Sequence, residues 1–405
     1  MTDKGKLKIS EYKYILPDEK IAQYPLANRD DSKLLVYKDG NIEEKIFKNI
    51  VDYIPDDSLI IFNNTKVIPA RLFFHKDTGA KIEIFCLEPY SGSMDYQVEF
   101  HKKEKSVWKC FIGNASKWKT GKVKNAFVHE GREIGITAEV KEKIADEYVI
   151  EFSWTPAEIT FGELIEYSGK IPLPPYIRRE TEESDKNKYQ TVYAKVDSSV
   201  AAPTAGLHFT ETVFEKLKVK NCRTDYLTLN VGAGTFKPVK AEFAGGHKMH
   251  NELFCVSKSL IENILRYRNK KIIAVGTTTL RTLESLYWYG VKLLKREGGN
   301  FFIEQWYPYE NENAETEESL KAVLNFMKKN NLEVIYGNTE LMIVPGYRFS
   351  IADIIITNFH LPGSTLLLLI AAFIGEDWKK VYGYALNNNF RFLSYGDSSI
   401  LFKKD

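Results

Sequence analysis

Between Arg71 and Trp154 apolar and polar residues alternate in short runs, Lys81-Ile-Glu-Ile84, Asp95-Tyr-Gln-Val-Glu-Phe100 and Glu147-Tyr-Val-Ile-Glu-Phe-Ser-Trp154, parted by Gly, Ser and Lys clusters. A period of two belongs to β-strands whose two faces differ in burial. In the last run Tyr148, Ile150, Phe152 and Trp154 share a face, as the wall of a small barrel requires. Residues 71–154 are therefore expected to form a small antiparallel β-barrel. The flanking chain reads differently. Lys271-Ile-Ile-Ala-Val275 leads through Gly276 into a helical pattern over 280–289, and Asp353-Ile-Ile-Ile-Thr357 leads through Pro362 and Gly363 into another over 366–373. Strand-then-helix units of this kind predict an α/β fold. The expected architecture is a large discontinuous α/β domain, 1–70 and 155–405, carrying the barrel as an inserted domain. Residues 291–344 read as an elaboration of the larger domain, in which an acidic stretch precedes a helix with Leu320, Val323, Leu324 and Met327 on one face.

Composition narrows the class. Of 405 residues, 44% are hydrophobic and 27% charged, the balance of a soluble globular protein with core enough for an enzyme. The N-terminus has no apolar signal-peptide core, and the longest apolar run, 366–374, falls far short of the roughly 20 residues that span a bilayer. A cytoplasmic protein without a membrane partner is expected. Cys86, Cys110, Cys222 and Cys255 form no C-x-x-C pair, which argues against a zinc knuckle or a disulfide framework. The net charge of +2 conceals a basic stretch between His101 and Lys124 whose only acid is Glu104. There Lys102, Lys103, Lys105, Lys109, Lys117 and Lys119 interleave with Trp108, Phe111 and Trp118, a mixture suited to RNA phosphates and stacked bases; a solvated barrel face fits it equally.

Four segments carry candidate chemistry. In residues 201–210, Pro203 and Gly206 shape an irregular backbone, Thr204 offers a hydroxyl, and His208 could exchange a proton near neutral pH. A rigid loop ending in a helix cap at Thr210 is the competing reading. Gly276-Thr277-Thr278-Thr279 opens a helix bearing Arg281 and Glu284, so free backbone N–H groups and hydroxyls gather where the helix dipole favours a carboxylate or phosphate. A well-capped helix with a surface Arg281–Glu284 pair fits the same residues. Asn230, Gly232 and Gly234 end a strand with a polar face and suit close backbone approach to a ligand; without a third glycine they form no dinucleotide fingerprint. His247, His250 and Glu252 lack metal-ligand spacing, so no metal is expected, while His250 or Glu252 could serve as a general base. His360, between a strand and a buried helix, reads as a satisfied structural histidine rather than a catalytic one, though its loop could border the same pocket.

Taken in order, these pieces resemble one family along the whole chain, the S-adenosylmethionine:tRNA ribosyltransferase-isomerases of queuosine biosynthesis. The matching segments include Asn64-Thr-Lys-Val-Ile-Pro-Ala-Arg-Leu72, Ile171-Pro-Leu-Pro-Pro-Tyr-Ile177, Ala202-Pro-Thr-Ala-Gly-Leu-His-Phe-Thr210, His247-Lys-Met-His250, Gly276-Thr-Thr-Thr-Leu-Arg-Thr-Leu-Glu284, Thr357-Asn-Phe-His-Leu-Pro362 and Tyr395-Gly-Asp397. The resemblance implies transfer and isomerisation of the ribosyl part of S-adenosylmethionine onto an aminomethyl-deazaguanine at the tRNA wobble position. The product would be epoxyqueuosine-tRNA, with adenine and methionine released. S-adenosylmethionine would be a consumed co-substrate, tRNA the partner, and a monomer the working unit. His208, His250 and Glu252 are the candidates for proton transfer. Pro203, Thr204, Gly206, Asn230, Gly232, Gly234, Gly276, Thr277, Thr278, Thr279, Arg281, Glu284 and His360 are the candidates for substrate binding. The chain departs from the family pattern at Asn230, Asn64 and Gly363, where His, Asp and Lys are usual. Those changes leave open a tRNA-binding relative with impaired catalysis, or a transferase with another acceptor.

Overall fold

A computed structural model describes residues 3–76, 78–90, 96–118, 121–232, 239 and 241–404. Its larger part is built on a ten-stranded mixed sheet. Four adjacent central strands, Arg223–Leu229, Leu59–Asn63, Ile272–Val275 and Ile354–Asn358, run parallel. Three of them, Leu59–Asn63, Ile272–Val275 and Ile354–Asn358, are buried at every residue, which explains why they read as continuous apolar runs rather than alternating ones. Beyond Ile354–Asn358 the direction reverses, because Ser398–Phe402 pairs with it antiparallel.

The strand Ile272–Val275 feeds helix Thr277–Leu294, which is buried from Thr277 to Lys292. One face of that helix lies on the sheet and the other is covered by helix Thr316–Lys329. Gly290 permits the close crossing: a Cβ there would sit 2.2 Å from the Ser319 carbonyl oxygen. The elaboration 291–344 thus contributes to the core, supplying the covering helix and the edge strands Phe302–Ile303 and Val334–Thr339.

The second part is a closed six-stranded antiparallel barrel, formed by Arg71–His75, Lys81–Pro89, Lys105–Gly113, Lys122–His129, Arg132–Ile144 and Glu147–Thr155. Ile150, Phe152 and Trp154 all lie in its core, as their shared face implied. The run 95–100 departs from the expected strand. Residues Tyr96–Phe100 make a helical turn, because rings four residues apart both reach Trp108, at 5.9 and 5.7 Å between centroids. Cys86, Cys110 and Cys222 are buried, Cys255 is half-buried, and all four are free thiols. Among the described residues no helix is long and apolar enough to cross a membrane.

Candidate functional site

Outside the carboxyl ends of Ile272–Val275 and Ile354–Asn358 lies a cleft enclosing about 720 Å³, part of it open to solvent. Pro203, Thr204, Thr277, Thr278, Asn358 and His360 face it. One wall is the short 3₁₀ turn Thr204–His208, begun by Pro203. The opposite wall is the start of helix Thr277–Leu294. Gly276 has φ +94°, a conformation costly for any residue with a side chain, and it turns the strand directly into the helix. Among the described residues no side chain caps this helix, and no acid stands in its first turn. The hydroxyl of Thr279 is turned inward to the Val275 carbonyl, 2.7 Å away, so Thr279 braces the turn and does not face the cleft. The first backbone N–H groups therefore present partial positive charge toward the Thr277 and Thr278 side of the cleft.

His208 stands behind the cleft wall. Its ring is buried, with Nδ1 2.8 Å from the Ser32 hydroxyl and Nε2 3.1 Å from the side-chain nitrogen of Asn358. That Asn358 nitrogen also donates to the carbonyl of Asp397 at 3.4 Å, and the Asn358 oxygen accepts from Thr204 Oγ1 at 3.0 Å. An amide N–H₂ can only donate, so Nε2 accepts and the neutral ring carries its proton on Nδ1. Burial first, then the charges of Arg391 and Arg29, push the His208 pKa down to about 4. His208 is thus neutral at pH 7, with both nitrogens occupied, and it fixes Asn358 and Thr204 instead of meeting a ligand in the cleft. The ring expected to transfer a proton therefore does not line this cleft.

His360 does border the cleft. Its Nε2 is 3.1 Å from Thr357 Oγ1, its backbone N–H donates to the Tyr382 hydroxyl at 3.1 Å, and burial lowers its pKa to about 3. Both histidines are held neutral in the fold but protonate in the unfolded chain near pH 6.5. Their contribution to stability is complete above that pH and is lost as pH falls from 6.5 toward the folded values. Urea unfolding at pH 7 and pH 5 should therefore show wild type losing about 2 kcal/mol more than His208→Asn across that interval.

Several expected ligand residues prove structural. Gly206 serves packing, since a Cβ there would fall 1.8 Å from the Tyr193 hydroxyl. Arg281 forms a buried ion pair with Glu252, and neither residue lines the cleft. Glu284 does not pair with Arg281. Fully buried, its carboxylate accepts from the N–H groups of Ser350 and Ile351, both at 3.0 Å, and from the Tyr347 hydroxyl at 2.9 Å. It anchors the loop before Ile354–Asn358, and Glu284→Ala should lower unfolding free energy by about 3 kcal/mol in urea titration, since three donors lose their acceptor.

His250 is exposed and lies off the cleft, as no cleft contact involves it. Asn230 and Gly232 flank Val231, which does line the cleft; the Asn230 N–H donates to the Leu253 carbonyl at 2.9 Å. Gly234 lies outside the described residues, as does Lys119. Asn64 ties two strands together, its side-chain oxygen accepting from Thr228 Oγ1 at 2.7 Å, and Gly363 adopts φ +66°.

The basic face of the barrel is only partly as expected. Trp108 and Trp118 are buried core residues and offer no ring for base stacking. Lys102 and Lys109 are paired with Glu99 and Glu88, each at 2.5 Å. Among the described residues, Lys103, Lys105 and Lys117 form no close ion pair, although Lys103 and Lys105 act at a distance on Glu163 and Glu139.

A mixed sheet with four parallel central strands, a cleft at their carboxyl ends and a direction change beside it define an α/β protein with a small-molecule site. A family model described as queuosine biosynthesis protein matches residues 9–401, and the chain belongs to that family. The S-adenosylmethionine:tRNA ribosyltransferase-isomerase of Halothermothrix orenii is 38% identical over 401 residues, covering 98% of this chain and 100% of its own. That of Trichlorobacter lovleyi is 36% identical over 399 residues, covering 97% and 99%. A crystal structure of S-adenosylmethionine tRNA ribosyltransferase from Thermotoga maritima is 29% identical and covers 97% of this chain and 100% of that one, at a TM-score of 0.47.

Proposed function

We propose that this protein transfers and isomerises the ribosyl group of S-adenosylmethionine onto the aminomethyl-deazaguanine wobble base of tRNA, forming epoxyqueuosine-tRNA and releasing adenine and methionine. The observation that carries the reading is the uncapped helix N-terminus opening on a cleft, in a chain that spans the full length of relatives bearing that activity in their names. The first N–H groups of the helix, beside the Thr277 and Thr278 hydroxyls, hold the methionine carboxylate. A sulfonium acidifies the ribose methylene next to it. His360, the one histidine on the cleft wall among the described residues, offers a neutral ring for hydrogen bonding to the bound substrate, while its low pKa makes it a poor acceptor of that proton. Ser32, His208 and Asn358 keep Thr204 in place on the facing wall.

In this reading the barrel, 71–154, is an inserted domain that presents Lys103, Lys105 and Lys117 to RNA, and the enzyme works as a cytoplasmic monomer without a metal. Incubation with S-adenosylmethionine and tRNA carrying the deazaguanine precursor, followed by nucleoside mass analysis, tests the reaction. The expected result is an epoxide-bearing nucleoside in step with free adenine. Intact tRNA binding without adenine would identify a binding protein, and adenine without the nucleoside would identify another acceptor.

A further inference from the structure

A second, smaller pocket adjoins the cleft across Ser394, which lines both. It spans about 300 Å³, most of it open to solvent, and three cations line it: Arg29, Lys188 and Arg391. No carboxylate lines it among the described residues. The nearby acids are committed elsewhere. Asp397 accepts from the N–H groups of Lys33 and Arg391, at 3.0 and 2.7 Å. Asp185 is taken by both terminal nitrogens of Arg179, each at 2.7 Å, and by the Tyr395 hydroxyl at 2.9 Å.

Arg29 is braced only by carbonyls, those of Gln190 and Asn187, so its orientation is set while its charge stays unneutralised. Lys188 has no carboxylate partner among the described residues and is exposed. Arg391 reaches Asp397 only at 3.4 Å and otherwise donates to the Tyr24 carbonyl at 3.3 Å. Three like charges around one small concavity repel one another, and an anion with several oxygen acceptors relieves that repulsion.

We propose that this pocket binds a backbone phosphate of the RNA substrate, next to the nucleotide whose base enters the cleft. The inference rests on the tRNA reading above and adds to it the place where the backbone is gripped. Guanidinium forks on two sides suit a phosphodiester, and a single wall at Ser394 between the pockets is compatible with a base and its own phosphate lying in neighbouring sites.

The test is binding of an anticodon stem-loop RNA, without S-adenosylmethionine, over a range of salt concentrations. Lys188→Gln, at an exposed position, should bind about 5- to 10-fold more weakly, with the slope of log K against log salt shallower by about 0.7, the loss of one phosphate contact. A single neutral methylphosphonate, moved along the loop, should weaken wild type at one position and weaken Lys188→Gln less there, since Arg29 and Arg391 still face that phosphate. Affinity and slope equal to wild type would overturn the proposal. Stabilisation of wild type by inorganic phosphate that Lys188→Gln abolishes, with RNA affinity unchanged, would also overturn it, assigning the pocket to free phosphate. Because adenine release is not the readout, phosphate-dependent RNA binding in a protein that releases no adenine would refute the reaction and keep this site.

Discussion

Asn358→Ala is expected to slow single-turnover adenine release by about 100-fold, a loss typical of misplaced reacting groups. Asn358 is the one side chain that joins His208, Thr204 and the Asp397 carbonyl, and it also borders the cleft. Without it Thr204 loses its acceptor and His208 Nε2 its donor. Because His208 acts through Asn358, the double variant His208→Ala/Asn358→Ala should be little slower than Asn358→Ala alone. Asn358→Asp supplies a readout that a merely structural role would not move. A carboxylate cannot donate to Nε2 of neutral His208, so this variant should regain activity as pH falls and the ring takes up a proton. Additive losses in the double variant, or an unshifted pH profile in Asn358→Asp, would contradict the positioning role.

Arg281→Met should cost about 4 kcal/mol of unfolding free energy, because it leaves the Glu252 carboxylate buried without its cation. Burial pulls the Arg281 pKa down to about 10, so desolvation works against the charged pair. Arg281→Met/Glu252→Leu, which removes both charges, should recover at least half of the loss in urea titration. A single variant as stable as wild type would show that the pair contributes nothing.

Much of the fold was legible because period reports burial. Alternation over 147–154 marked the barrel wall, and the continuous apolar runs 272–275 and 354–356 marked strands that prove central and buried on both faces. The run 95–100 misled because six residues with aromatic rings at both ends satisfy a strand and a helical turn alike.

The site was half legible. Backbone devices showed in the sequence, since Pro203, Gly276 and the threonines after it announce a turn and a helix start. Side-chain partners did not show. His208 looked catalytic because a lone histidine carries no sign of its burial, and Ser32, 176 positions away in sequence, is what occupies its Nδ1. Arg281 and Glu284 stand one helical turn apart, a spacing that suggests a surface pair. On a helix buried all round they face different partners, Glu252 and the 350–351 backbone. Asn358 stood inside a segment matching the family and was passed over, because an amide at a strand end has no chemistry of its own until its neighbours are known.

The central claim is that the start of helix Thr277–Leu294 holds the carboxylate of S-adenosylmethionine. Thr278→Glu tests it most directly, by placing a fixed carboxylate where the ligand's would lie. An acid in the first turn favours a helix by about 0.3–1 kcal/mol, which offsets part of the cost of a charge at this largely buried position, so urea titration of the variant accompanies the binding measurement. Calorimetric titration should show S-adenosylmethionine affinity falling at least about 100-fold, roughly 3 kcal/mol, in a variant that still unfolds cooperatively. Binding as tight as that of wild type, in a variant equally well folded, would contradict the account.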